Sequence, residues 1–198
     1  QTGLRMAGKI KIIVIGGSAG SFNVVRKILL SLPSDFPIPI VLCLHRLKDV
    51  KKGFVESLNL SSRLKVKEPE DKDPVKPGYV YLSPANYHLL IEPTHNFALS
   101  TEDNINFSRP SIDITFESAG YSFRDKMAGI ILSGANGDGA RGLYNAHING
   151  AFTVVQDPTD AQFNLMPGET LKLFKPDKIL KEDGIVEFIK SLRINTYV

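Results

Sequence analysis

The stretch Lys11-Ile12-Ile13-Val14-Ile15-Gly16-Gly17-Ser18-Ala19-Gly20-Ser21 decides how this chain folds. Lys11–Ile15 is a short apolar run closed by a glycine pair. A strand apolar on both faces is buried on both faces, which is the condition of a parallel sheet covered by helices. Beyond the glycines, Phe22, Val25, Ile28, Leu29 and Leu32 fall on one helical face. Ser21 stands where it can cap that helix, and Pro33 ends it. Ile38–Leu44 is a second apolar run of strand length. Strand, glycine turn, helix and strand make a βαβ unit, whose crossover is right-handed.

The same alternation continues outward. Gly53–Leu60 reads as a short amphipathic helix, Leu64–Lys67 as an alternating piece within a charged linker, and Tyr79–Leu82 as a strand. Leu89–Glu92 and Phe97–Ser100 flank Pro93–Asn96, the pattern of a hairpin. Pro110 is expected to open a helix in its first turn, with Ile112, Phe116, Ala119 and Phe123 inward. Ala128–Leu132 is a further buried strand that runs into Ser133-Gly134-Ala135-Asn136-Gly137-Asp138-Gly139, a second glycine-rich turn. A helix then extends to about Asn149, with Gly150 as its stop, and Ala151–Val155 is the next strand. Gln156–Pro167 reads as a polar loop, and a last helix starts at Gly184 with Ile185, Phe188, Ile189 and Leu192 on one side. The expected fold is α/β: a doubly wound, mainly parallel sheet with helices on both faces and a small antiparallel hairpin. Residues 9–198 read as a single domain, with Gln1–Gly8 a remnant or a disordered start.

Composition narrows the function classes. In 198 residues, 42% are hydrophobic and 23% charged, which excludes a disordered chain. Lys+Arg 24 against Asp+Glu 21 leaves +3, too balanced for a strongly basic nucleic-acid surface. Cys43 is the single cysteine, so neither an internal disulfide framework nor a cysteine-rich zinc site is expected. No histidine, cysteine and carboxylate cluster has metal-ligand spacing, and no apolar run reaches the roughly 18 residues of a membrane helix. The expected setting is cytoplasmic, with no metal, no nucleic acid and no membrane insertion.

In open parallel sheets, ligands bind beyond the carboxyl ends of the strands, where strand order reverses. Ser18 follows the first strand, His45 ends the second, and Asp138 lies just past Ala128–Leu132. A serine, a histidine and an aspartate converging there are the parts of a nucleophile–base–orienter triad, whose chain order is free to vary. Gly16-Gly17-Ser18-Ala19-Gly20 fits G-x-S-x-G between strand and helix, a turn that lifts a serine hydroxyl off the sheet. The helix N-terminus there also suits an oxyanion. A second reading stands beside this one. A glycine-rich first turn is also a phosphate cradle, although Ser18 occupies the place of the second glycine of G-x-G-x-x-G. His45-Arg46 replaces the acidic residue of an NAD site, and Arg46 could serve the 2′-phosphate of NADP. Of the other candidates, His95 reads as solvated in its turn, His147 as a surface residue, His88 as packing or surface, and Cys43 as inert core rather than a partner of His45.

Several of these segments occur together in one family. Ile15–Ser21, Leu44-His45-Arg46, Arg109-Pro110-Ser111-Ile112-Asp113, Leu132–Ala140, and Gln156-Asp157-Pro158 through Met166-Pro167 resemble the catalytic domain of CheB-type protein-glutamate methylesterases of bacterial chemotaxis. The resemblance runs from about Lys9 to about Leu180. It implies hydrolysis of γ-glutamyl methyl esters on chemoreceptor cytoplasmic helices with release of methanol, and in many members deamidation of glutamines. The family's catalytic serine, histidine and aspartate fall on Ser18, His45 and Asp138. No cofactor is implied. The backbone N–H groups of Ala19 and of the Ala135 turn become oxyanion-hole candidates, and Arg46 a candidate for tuning the base and attracting an acidic receptor helix. The chain departs from the family pattern where threonine is common and Ala19 stands, where methionine is usual and Ala135 stands, and where Asn136-Gly137 replaces a Gly-x pair. Many members carry a receiver domain before this one, and with the first strand beginning near Lys9 none is expected here. The alternative that remains is a noncatalytic or NADP-binding domain built on the same first turn.

Overall fold

The computed structural model of the chain describes residues 9–45, 53–105 and 108–193. Seven strands form one parallel sheet: β1 Ile12–Gly17, β2 Ile40–Leu44, β3 Lys65–Lys67, β4 Tyr79–Leu82, β7 Met127–Ile131, β8 Phe152–Gln156 and β9 Lys178–Leu180. Their order is β3-β4-β2-β1-β7-β8-β9, and β5 His88–Ile91 with β6 Phe97–Ser100 forms a separate antiparallel hairpin. The chain builds outward from β1 on one side, then returns to pair β7 with the other side of β1. Strand order therefore reverses at β1, and the crevice beyond the carboxyl ends of β1, β2 and β7 is the expected ligand position.

Alternation divides the strands between two cores. Ile13, Ile15, Ile40, Leu42, Ala128 and Ile130 face one layer, packed by α1 Phe22–Ser31 and α6 Glu182–Ser191. Ile12, Val14, Val41, Cys43, Met127 and Ile131 face the other, beneath α3 Ile112–Phe123 and α4 Ala140–Ile148. Helices α2 Phe54–Leu60 and α5 Leu165–Leu173 complete the two layers, through Leu58 on the first side and Met166 on the second. The hairpin joins the second layer through Leu89, Ile91 and Phe97. Hydroxyls along one edge of α3 pin it: Thr115 Oγ1 donates to Leu89 O (2.8 Å), Ser122 Oγ donates to Ile91 O (2.8 Å), and Ser118 Oγ accepts from Ile91 N (3.0 Å).

The doubly wound architecture with its small hairpin is the one read from the strand alternation. Three local expectations are corrected. The segment read as a polar loop to Pro167 turns helical at Leu165, and β9 follows at an edge of the sheet. Its three residues are half-buried or exposed, so a buried apolar run does not mark it. Pro110 precedes the helix rather than opening it: Ser111 occupies the N-cap and α3 begins at Ile112. Ser21 does not cap α1 with its side chain; its hydroxyl turns back and donates to Ser18 O at 2.6 Å.

Helices α3 and α4 touch so closely that a Cβ on Gly142 would stand 2.3 Å from the carbonyl oxygen of Asp113. Gly168, within α5, has no atom within 4 Å of the corresponding position. Gly142→Val should therefore destabilise the chain by roughly 1–3 kcal/mol through overpacking. Gly168→Ala should leave it unchanged or raise stability by up to about 1 kcal/mol through helix propensity. Urea denaturation of both variants checks this contrast.

Candidate active site

Three strand ends build the site. At the first, Ser18 follows Gly17 and its N–H donates to Ser133 O at 2.9 Å, tying the turn to the end of β7. Ser18 is half-buried and Ala19 exposed. At the second, His45 N donates to Gly17 O at 3.1 Å, which holds the residue after β2 against the end of β1. Ser18, Ala19, Gly20, Ser21, Phe22, Leu44, His45 and Phe54 line one cleft of about 370 Å³. Among these lining residues the imidazole is the one titratable side chain.

The third strand end supplies the acid. Asp138 is fully buried in its side chain, and its Oδ2 lies 2.7 Å from His45 Nε2. The carboxylate also accepts from Ser111 Oγ (3.1 Å), Ile112 N (2.7 Å) and Asp113 N (3.1 Å). Two of these donors are the first N–H groups of α3, so Asp138 caps that helix from the turn before α4. The arrangement is reciprocal. Asp113, in the first turn of α3, accepts from Gly139 N (3.0 Å) and Gly142 N (2.6 Å) at the start of α4. Burial pushes the Asp138 carboxyl up; the bonds from His45, Ile112 and Asp113, with the charge of His45, outweigh it and hold the group below the usual carboxylate range.

The tautomer of His45 follows from its neighbours. Asn136 Oδ1 accepts from Asp138 N at 3.0 Å, so its amide nitrogen faces the imidazole, 3.3 Å from Nδ1. An N–H donor directed at Nδ1 requires a lone pair there, and the ring proton then sits on Nε2, directed at Asp138. The usual assignment of ring nitrogens in a serine triad is thereby exchanged: Nε2 faces the acid, and Nδ1 is the basic nitrogen.

Of the residues expected at the site, Ser18 and His45 share one cleft, and Asp138 stands behind His45. Ala19 and Ala135 are exposed, and their N–H groups donate to no described residue. Arg46 lies outside the described residues. His88 is not at the cleft: it is buried, donates from Nε2 to Asp103 O (2.9 Å) and accepts from Ser111 N at Nδ1 (3.1 Å), which fixes the residue whose hydroxyl reaches Asp138. Cys43 is buried beside Thr115. His95 is exposed as expected and stacks on Phe123, and His147 is half-buried between Phe174 and Asp177. No group of three metal-ligating side chains occurs among the described residues, and no described helix is long and apolar enough to cross a membrane.

Sequence reasoning left Ser111, Asp113, Ser133 and Asn136 without roles. Ser133 Oγ accepts from Phe163 N (2.9 Å) and lies within donating distance of Ala19 O (2.8 Å), so it sews the Ser18 turn to the Gln156–Asn164 loop. Ser133 N donates to Gln156 Oε1 (2.9 Å), and Gln156 Nε2 donates to Asp160 (3.0 Å). Polar residues in a motif beside the candidate acid were the available signal. Apart from the local bond of Asn136 to Asp138 N, their partners are remote in sequence and so could not be read from spacing.

Known proteins resemble this chain along nearly its whole length. The family model for CheB methylesterase matches residues 13–189. A Leptospira interrogans protein of the protein-glutamate methylesterase/protein-glutamine glutaminase type is 43% identical over 183 residues, 92% of this chain and 95% of that protein. The Geobacter metallireducens protein-glutamate methylesterase/protein-glutamine glutaminase 4 is 37% identical over 93% of this chain, which spans 53% of that relative. The crystal structure of the Thermotoga maritima CheB methylesterase catalytic domain superposes with a TM-score of 0.86 at 32% identity, covering 91% of this chain and 98% of that one.

The depressed Asp138 carboxyl makes a prediction about acid stability. The folded chain binds fewer protons at this site than the unfolded chain, so the contribution is complete above the unfolded value of about 3.9 and is lost as pH falls through the folded value. Between about pH 5 and about pH 3, Asp138→Asn should therefore lose less unfolding free energy than the parent. Denaturant titrations across that range measure the difference.

Proposed function

This chain belongs to the CheB methylesterase family, and we propose that Ser18, His45 and Asp138 carry its protein-glutamate methylesterase reaction. The observation that supports this reading most is the 2.7 Å contact between His45 Nε2 and a buried, ionised Asp138, with Ser18 lining the same cleft as the imidazole. The nucleotide-binding alternative is not favoured, because nothing at the first turn matches it as closely as this pairing matches hydrolysis.

The chemistry follows from the state of the ring. His45 Nδ1 takes the Ser18 proton as Oγ attacks the ester carbonyl carbon. The carbonyl oxygen becomes an oxyanion, for which the N–H groups of Ala19 and Ala135 are the candidate donors. Nδ1–H then protonates the departing methoxide, and methanol leaves. Water, deprotonated by the same nitrogen, releases the glutamate from Ser18. With a glutamine side chain, ammonia leaves in place of methanol by the same steps. Asp138 keeps its charge throughout and stabilises the imidazolium that forms transiently. The polypeptide substrate in this reading is a methylated chemoreceptor helix, whose modified side chain would enter the cleft of about 370 Å³ beside Ser18 and His45. Arg46, next to the base in sequence, remains a candidate for drawing in an acidic helix.

Ser18→Ala should keep its fold and lose methanol release from a glutamyl methyl ester substrate by roughly 10⁴-fold or more. Turnover near that of the parent would remove Ser18 from the reaction. Circular dichroism of the same preparation verifies the fold.

A further inference from the structure

Asn136 stands between the acid and the base, and its role is separate from theirs. Its Oδ1 closes a turn by accepting Asp138 N–H, which leaves Nδ2 directed at His45 Nδ1. Imidazole nitrogen Nδ1 has one lone pair in the ring plane. That lone pair is the one through which Ser18 must be deprotonated, since Nε2 is committed to Asp138. In the resting chain the amide holds it.

We propose that Asn136 is a positioning residue that restrains the reaction: its amide fixes His45 in the Nε2–H tautomer and fills the lone pair that Ser18 needs. The inference rests on the assignment of His45 as the base. A donor at Nδ1 stabilises the neutral ring and opposes the imidazolium. The imidazolium carries a proton on Nδ1 that would meet the amide N–H head on, so the amide must turn aside whenever the base works. The cost falls on the transition state and not on the ground state, which slows turnover.

Among the described residues around His45, Asn136 is the neutral donor on Nδ1. From the turn before α4 come Asp138, on Nε2, and Asn136. From α3, Asp113 is turned to the α4 amides. The β1–α1 turn contributes Ser18 and Ser21, and α2 contributes Phe54, none of them ionised. Arg141 and Glu169 line the neighbouring cleft of about 430 Å³ that Asn136, Asp113 and Asp138 share.

Two substitutions separate the amide donor from the turn. Asn136→Ser and Asn136→Asp both keep an oxygen able to accept Asp138 N–H, as serine and aspartate do in such turns. Serine is too short to reach Nδ1; aspartate presents a negative acceptor to it. With a peptide carrying a glutamyl methyl ester, Asn136→Ser should raise kcat on the high-pH plateau about 3- to 10-fold, the scale of one neutral hydrogen bond. It should also move the acidic limb of kcat/KM to higher pH. Asn136→Asp should move that limb further, by about 1 unit or more, and lower the rate at neutral pH, because the carboxylate favours a protonated Nδ1. Nitrogen-15 NMR of the histidine ring reads the same order without turnover: Nδ1 should stay protonated to higher pH in the serine variant and highest in the aspartate variant. If Asn136→Ser has the parent's rate or a lower one, the restraint does not exist. If both variants titrate like the parent, Asn136 serves only the turn. Ring titrations that shift as stated while Ser18→Ala remains fully active would leave the contact standing and remove the base assignment instead.

Discussion

Two helices begin side by side here, and each is capped by a carboxylate from the other. Asp138, ahead of α4, accepts the first N–H groups of α3; Asp113, in the first turn of α3, accepts those of α4. Helix N-termini carry partial positive charge and unpaired donors, so each carboxylate is stabilised where it is buried. Asp138 would otherwise face a large desolvation cost; the exchange lets it remain ionised with no solvent access, and an ionised acid is what His45 Nε2 requires. The close approach of the two helices at Gly142 is the packing condition for this exchange. The hold on His45 Nε2 therefore rests on that contact.

The sheet provides the other half of the geometry. Strand order reverses at β1, and the ends of β1, β2 and β7 are tied laterally by Ser18 N to Ser133 O and His45 N to Gly17 O. Backbone bonds therefore set the spacing of serine and histidine, while the helix pair sets the orientation of the imidazole. Rigid elements hold each group. Ala19 and Ala135, proposed above to receive the oxyanion, are exposed on the turns that follow β1 and β7.

Much of this was legible from the residues. The runs at Ile12–Ile15, Ile38–Leu44 and Ala128–Leu132 are apolar on both faces, and that pattern marks buried parallel strands whatever the distant partners are. Ser18, His45 and Asp138 were legible because each lies in the segment that follows such a strand. The edge strand Lys178–Leu180 was not, since an edge strand needs no continuous apolar run, and α5 was hidden behind Pro167-Gly168, which read as loop. Ser21 illustrates a local ambiguity: the same hydroxyl can cap a helix or bond back to the turn, and here Ser18 O receives it. Asp113 and His88 belong to a different class. Gly139 lies 26 residues from Asp113 and Ser111 23 from His88, so only the folded chain reveals that one caps α4 and the other holds Ser111.

The exchanged carboxylates should act through His45 rather than merely stabilise two helices. Asp113 touches neither His45 nor Ser18, so it isolates that claim. Steady-state methanol release by a folded Asp113→Ala variant, with Ser18, His45 and Asp138 intact, is the most direct measurement. Loosening the start of α4 displaces Asp138, and a misplacement of about 1 Å in such a site costs on the order of 10²-fold in rate. A loss of that order is the predicted result; a folded variant that hydrolyses glutamyl methyl esters as fast as the parent would contradict it.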